Sequence, residues 1–160
     1  MENALLALAG SFQAAGIEGW ARGTPWVYPV ANVLHVIGVV MLVGAIGVVD
    51  LRIAGLWQRL PLLALSRALT PIAAAGLAVQ VASGLVLFAA DGEALAGSFT
   101  FHLKLILLAL VLVNAAAFRW HWRRAAGEGY VPSRLARISA LVSIGLWLAI
   151  ATVGRLIAYY

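Results

Sequence analysis

At 160 residues, 64% hydrophobic and only 11% charged, with a mean hydropathy of +0.99, the chain has too little polar surface to coat a water-soluble globule. Its formal charge of +5 does not point to nucleic acid, because the 11 Lys and Arg residues lie mostly in short segments between apolar stretches, a pattern that sets topology against an anionic membrane face. The absence of cysteine excludes disulfides, thiolate metal sites and thiol catalysis.

Residues 1–27 are mixed, with Leu5, Leu8 and Phe12 at helical spacing, Gly16, Gly19 and Gly23 as breakers, and Trp20, Trp26 and Tyr28 before the first long apolar stretch. This pattern predicts an interfacial helix followed by an aromatic anchor. Glu2 in place of a basic leader, and the short apolar run Ala4 to Ala9, predict that no signal peptide is cleaved. Four membrane spans are predicted at about 30–49, 69–90, 99–118 and 138–160, each near the roughly 20 residues needed to cross about 30 Å of hydrocarbon. Pro29 sits just before the first span and Pro71 in the first turn of the second, where helices tolerate proline. The first span stops at Asp50-Leu51-Arg52 and the second at an acidic turn, Asp91-Gly92-Glu93. The expected fold is all-α: a single membrane domain over residues 1–160, an integral membrane four-helix bundle with a short N-terminal interfacial helix.

Orientation follows from the basic residues, which are retained on the cytoplasmic side. Arg52, Arg59 and Arg67 lie between spans one and two, and Arg119, Arg123, Arg124, Arg134 and Arg137 between spans three and four, eight of the 11 in all. Arg22, Lys104 and Arg155 share the other side with Glu2, Glu18, Asp91 and Glu93. Both termini are therefore expected outside the cytoplasm.

Ionisable groups inside a span are expensive and mark function by default. The polar set is His35 in span one, Gln80 and Ser83 in span two, His102, Lys104 and Asn114 in span three, and Arg155 in span four. His35 and His102 both lie a few residues inside the outer edge, roughly 8 and 5 Å deep at about 1.5 Å per residue. Two histidines at matched depth on different helices are what bis-imidazole ligation of a b-type haem requires. Ala31, His35 and Gly38 share one helical face that would clear space for a flat macrocycle, and span two carries Gly76, Gln80, Ser83 and Gly84 along one stripe, with Gly84 near the depth of His35. Lys104 and Arg155, near the outer surface, are candidate partners for haem propionates. The expected cofactor site is thus His35, His102, Lys104, Arg155, Gly38 and Gly84, with His35 and His102 as metal ligands. Small-residue stripes equally serve close helix packing without any cofactor.

His121, amid Trp120, Trp122 and three arginines at the cytoplasmic end, reads as an interfacial anchor roughly 28 Å from His102, although a quinone site there is conceivable. Asp50 and Arg52 read as a helix-terminal charge pair. Gln80 and Asn114 read as interhelical hydrogen bonds.

Tyr28-Pro29, Leu34-His35-Val36-Ile37-Gly38, Asp50-Leu51-Arg52 and Phe101-His102-Leu103-Lys104-Leu105 together resemble a bacterial family of small four-helix membrane proteins of unknown function, over about residues 26 to 122. The resemblance implies a bacterial inner-membrane protein and leaves the chemistry open. More distantly, His35-Val36-Ile37-Gly38 and His102-Leu103-Lys104-Leu105 look like motifs of the haem-containing membrane protoporphyrinogen oxidases, which implies that His35 and His102 belong to a haem environment with Lys104 beside one of them. The first span is also similar to copper-resistance membrane proteins, but Met1 and Met41 are the only thioether donors here.

The function expected from these features is electron transfer near the extracytoplasmic face by a b-type haem with bis-His ligation. The alternatives are a cofactor-free accessory or structural subunit of a larger membrane complex, and an oxidoreductase acting on porphyrin or quinone. Expected partners are the lipid bilayer, a quinone or membrane redox complex, and a second copy of the chain in a homo-oligomer; no nucleic acid partner is expected.

Overall fold

A computed structural model describes residues 1–125 and 130–157, apart from the side chains of residues 121 and 123–125, and among these residues it contains six α-helices and no strand. They are α1 (Glu2–Ala14), α2 (Ile17–Gly23), α3 (Val27–Ala54), α4 (Leu62–Ala96), α5 (Phe99–Ala125) and α6 (Arg134–Leu156). Four of them, α3 to α6, are long and apolar enough to cross a membrane. The chain is a membrane helical bundle.

The helices overrun the predicted spans at most ends, because hydropathy marks only the stretch that sits in hydrocarbon whereas backbone hydrogen bonding continues into the polar flanks. Three local expectations change. Asp91-Gly92-Glu93 does not end α4; the helix kinks at Asp91 (φ −126°, ψ 24°) and continues to Ala96. Pro71 lies well inside α4 rather than in its first turn. Gly16, at φ 73°, breaks α1 from α2, but Gly19 lies inside α2, so the N-terminal segment is two helices rather than one. The final residues of the fourth predicted span, 158–160, and the side chain of His121 lie outside the described residues.

The four long helices stand at the corners of a square in the order α4, α3, α6, α5. The tightest pair is α3 with α4; α6 packs on both α3 and α5; α4 and α5, although consecutive in sequence, scarcely touch through their backbones. Helices α3 and α5 are diagonal, with no close backbone approach. The central core is built from Leu42 and Ala45 of α3, Ala73 of α4, Val111 of α5 and Trp147 and Ile150 of α6. Outside the square, α1 and α2 pack on the far end of α4: Phe12 meets the Phe88 ring edge-on at 6.3 Å, and Ala21 is buried with Ala89 and Ala90. Arg22 reaches Asp91 at 3.3 Å, and Tyr28 lies within electrostatic range of Asp91 at the kink.

The α3–α4 contact is set by glycine. A Cβ built on Gly76 would stand 2.6 Å from the Leu42 nitrogen and 2.8 Å from Met41 Cβ, and one on Gly38 would stand 3.0 Å from the Gly76 carbonyl. This is small-residue packing in which two backbones approach directly.

Between α5 and α6, Asn114 donates to the Ser139 carbonyl (3.1 Å) and accepts from the Ser139 hydroxyl (2.9 Å). Since such bonds contribute about 0.6 to 2 kcal/mol in a bilayer, Asn114→Leu is expected to destabilise the bundle by about 1 to 2 kcal/mol. The non-additivity with Ser139→Ala, measured by unfolding in mixed micelles, checks it, and strict additivity would show the pair to be uncoupled.

At the arginine-rich end the expected Asp50–Arg52 pair does not form. Residues two apart on a helix point to different sides. Arg52 instead donates to the carbonyls of Leu60 (2.9 Å) and Gln58 (2.8 Å), tying down the α3–α4 connection, while Asp50 turns into the bundle and is only 8% exposed.

Candidate functional site

His35 lies two turns into α3, on the face that Gly38 presents to α4. The Gly38–Gly76 contact fixes the register, and it brings the stripe of α4 one and two turns beyond Gly76 opposite the imidazole. The result is a three-residue network. His35 Nδ1 is 3.0 Å from Ser83 Oγ, and His35 Nε2 is 3.0 Å from Gln80 Nε2. Ser83 has one hydrogen, and its hydroxyl is 2.6 Å from the Val79 carbonyl, to which it donates. Its oxygen must therefore accept from His35, so Nδ1 carries the proton and Nε2 accepts from the Gln80 amide. Both nitrogens of the ring are engaged and the imidazole is neutral.

Neighbouring positions are fitted to this network. A Cβ on Gly84 would stand 3.3 Å from His35 Cε1, and one on Gly38 would stand 3.0 Å from Gln80 Oε1. The spaces that Gly38 and Gly84 leave are thus taken by the Gln80 amide and by the imidazole. Gln80 Oε1 is buried and accepts no hydrogen bond among the described residues.

Lys104 of α5 runs along Gly154 of α6, whose Cβ position is 3.6 Å from the lysine Nζ. Its ammonium lies within electrostatic range of His35 across the bundle. Among the described residues, no carboxylate is within ion-pair distance of it. Arg155, next along α6 from Gly154, is exposed.

The structure brings His35, Gln80, Ser83, Gly84 and Lys104 together at the end of the bundle where α1 and α2 sit. His102 is placed differently. At about 100° per residue, His102 and Lys104 project from nearly opposite sides of α5, and the inward side is the one carrying Lys104, Leu108 and Val111. His102 Nε2 is buried with no hydrogen-bond partner among the described residues. In this arrangement both nitrogens of His35 are hydrogen-bonded to α4, and His102 leaves α5 on the side away from Lys104.

Gln80, expected from the sequence to form an interhelical hydrogen bond, does so with His35, and Ser83 of the same stripe is the second direct partner of the ring. Their spacing was the available signal, because Gly76, Gln80, Ser83 and Gly84 recur at helical intervals on one face. No protein-family model matches the chain, and neither curated proteins nor solved structures provide a match.

Proposed function

We propose that this chain is a membrane-embedded electron-transfer protein whose working centre is the cluster of His35, Gln80, Ser83 and Lys104, placed near the extracytoplasmic face of a bacterial inner membrane by the arginine distribution. One observation carries the reading: a lysine with no acidic partner among the described residues lies within electrostatic range of a neutral, doubly hydrogen-bonded imidazole inside a lipid-embedded bundle. An unpaired ammonium in such a place is costly and calls for a ligand that brings oxygen acceptors. A lipid-soluble quinone brings two carbonyl oxygens, Lys104 is a donor for one of them, and the imidazole is a group able to give and take the proton that accompanies quinone reduction.

The buried, unpartnered Nε2 of His102 favours a second redox group, haem b, with His102 as one ligand and with Lys104 and Arg155 at the propionates. Such a haem would supply a one-electron carrier. Recruiting His35 as the other ligand requires Gln80 to release Nε2 and α5 to turn His102 inward, so no step is assigned to the iron here.

Purification of the full chain in mild detergent decides among these. A quinone in the organic extract, lost in Lys104→Leu and His35→Leu variants, supports the quinone site. A reduced-minus-oxidised spectrum with sharp α and β bands that vanish in His102→Ala supports haem. A colourless, quinone-free preparation of folded protein removes electron transfer and leaves an accessory subunit.

A further inference from the structure

Asp50, at the opposite end of the bundle from His35, plays no part in the proposed redox site. It is the only acidic residue buried among those described, and its Oδ2 has no hydrogen-bond partner. Its side-chain neighbour is Ser143, itself buried on the facing side of α6. One turn further along that face of α6, the buried Trp147 Nε1–H also lacks a partner. Among the described residues, then, neither the Asp50 Oδ2 acceptor nor the Trp147 Nε1–H donor has a hydrogen-bond partner.

The charges around Asp50 do not neutralise it. Arg52, on its own helix, is committed to the Gln58 and Leu60 carbonyls. From α6, Ser143 faces it, and the nearest cation on that helix, Arg137, lines a surface cleft. From α4, Leu62 packs against Ile53, and the one basic residue at that end, Arg67, is exposed. No cation is within ion-pair distance of Asp50 among the described residues. An ionised carboxylate buried without a cation costs several kcal/mol, whereas a protonated carboxyl does not bear that penalty and gains an O–H to donate.

A cleft of about 160 Å³ opens at the arginine-rich end, lined by Arg52, Ile53, Gln58, Tyr130 and Arg137. Ile53, one of the residues lining the cleft, is one helical turn from Asp50. In the other direction the apolar layer of Leu42, Ala45, Ala73, Val111 and Ile150 separates Asp50 from the His35 cluster.

We infer that Asp50 is a proton-binding site of the inner half of the bundle, held neutral beside Ser143 and exchanging its proton with water through the cleft bounded by Arg52 and Arg137. This stands whether or not His35 serves a redox group. Infrared spectroscopy of the full chain in proteoliposomes at neutral pH tests it. The expected result is a carbonyl stretch of a protonated carboxylic acid that shifts in deuterated water and is absent from Asp50→Asn. Ser143→Ala, which keeps the carboxyl but removes its neighbour, should shift the band, and it serves where Asp50→Asn does not fold. An alkaline jump on the side of the arginine-rich end should remove the band faster than one on the other side. Absence of the band in the native chain, its persistence in Asp50→Asn, its indifference to Ser143→Ala, or equal response from both sides overturns the proposal.

Discussion

Replacing Gly76 with leucine is expected to abolish the folded bundle, and Gly76→Ala to destabilise it by about 1 to 3 kcal/mol, the usual cost of overpacking a close contact. The first atoms an added Cβ meets are the Leu42 nitrogen at 2.6 Å and Met41 Cβ at 2.8 Å, which cannot rotate away as a flexible side-chain tip could. Helices α3 and α4 would have to move apart, and with them the His35 network, which depends on their register. Gly44 and Gly47 are the controls, since a Cβ at either meets nothing within 4 Å. Alanine there should be neutral or stabilise slightly, because glycine is the poorer helix former by about 1 kcal/mol. Thermal unfolding in detergent reads the contrast. Equal midpoints for Gly76→Ala and Gly44→Ala would show that the α3–α4 approach is not as close as described.

His35→Leu should have the second large effect, about 2 to 4 kcal/mol. The substitution removes two interhelical hydrogen bonds and leaves the Gln80 amide buried with neither nitrogen nor oxygen satisfied, each unsatisfied group costing about 1 to 3 kcal/mol. Gln80→Leu alone should cost less, since the imidazole keeps its Ser83 bond. The double variant should be more stable than the sum of the singles, because removing both partners together leaves no orphan. Detergent-titrated unfolding of the four proteins measures that coupling, and additive effects would remove the His35–Gln80 bond from the account.

The spans and the all-helical fold were legible because 20-residue apolar runs have few alternatives in lipid. Helix ends were less so, and Asp91 shows why: acid-glycine-acid reads as a turn, yet Asp91 is paired with Arg22 and the chain continues as a kinked helix. His35 was legible as a rare intramembrane histidine, whereas its partners required the α3–α4 register, a product of Gly38 meeting Gly76 across 38 residues of sequence. For His102, depth could be counted along the helix, and facing direction follows from the angle of about 100° per residue. Residues two apart, such as His102 and Lys104 or Asp50 and Arg52, cannot share a face, and that arithmetic was already present in the numbering.

On the proposed function, the weak contact between α4 and α5 sets how a reactant meets His35. With α1 and α2 laid over the far end of α4 and the other three sides formed by packed helix pairs, the loosest wall of the square is the one between α4 and α5, bridged near that end by Phe88 stacked on Phe101 at 5.7 Å. That wall borders acyl chains rather than water. The concentration that governs encounter there is a mole fraction in the bilayer, so reaction rates should follow a compound's partition coefficient and the lipid-to-protein ratio, and should be insensitive to the volume of the aqueous phase once partitioning is complete.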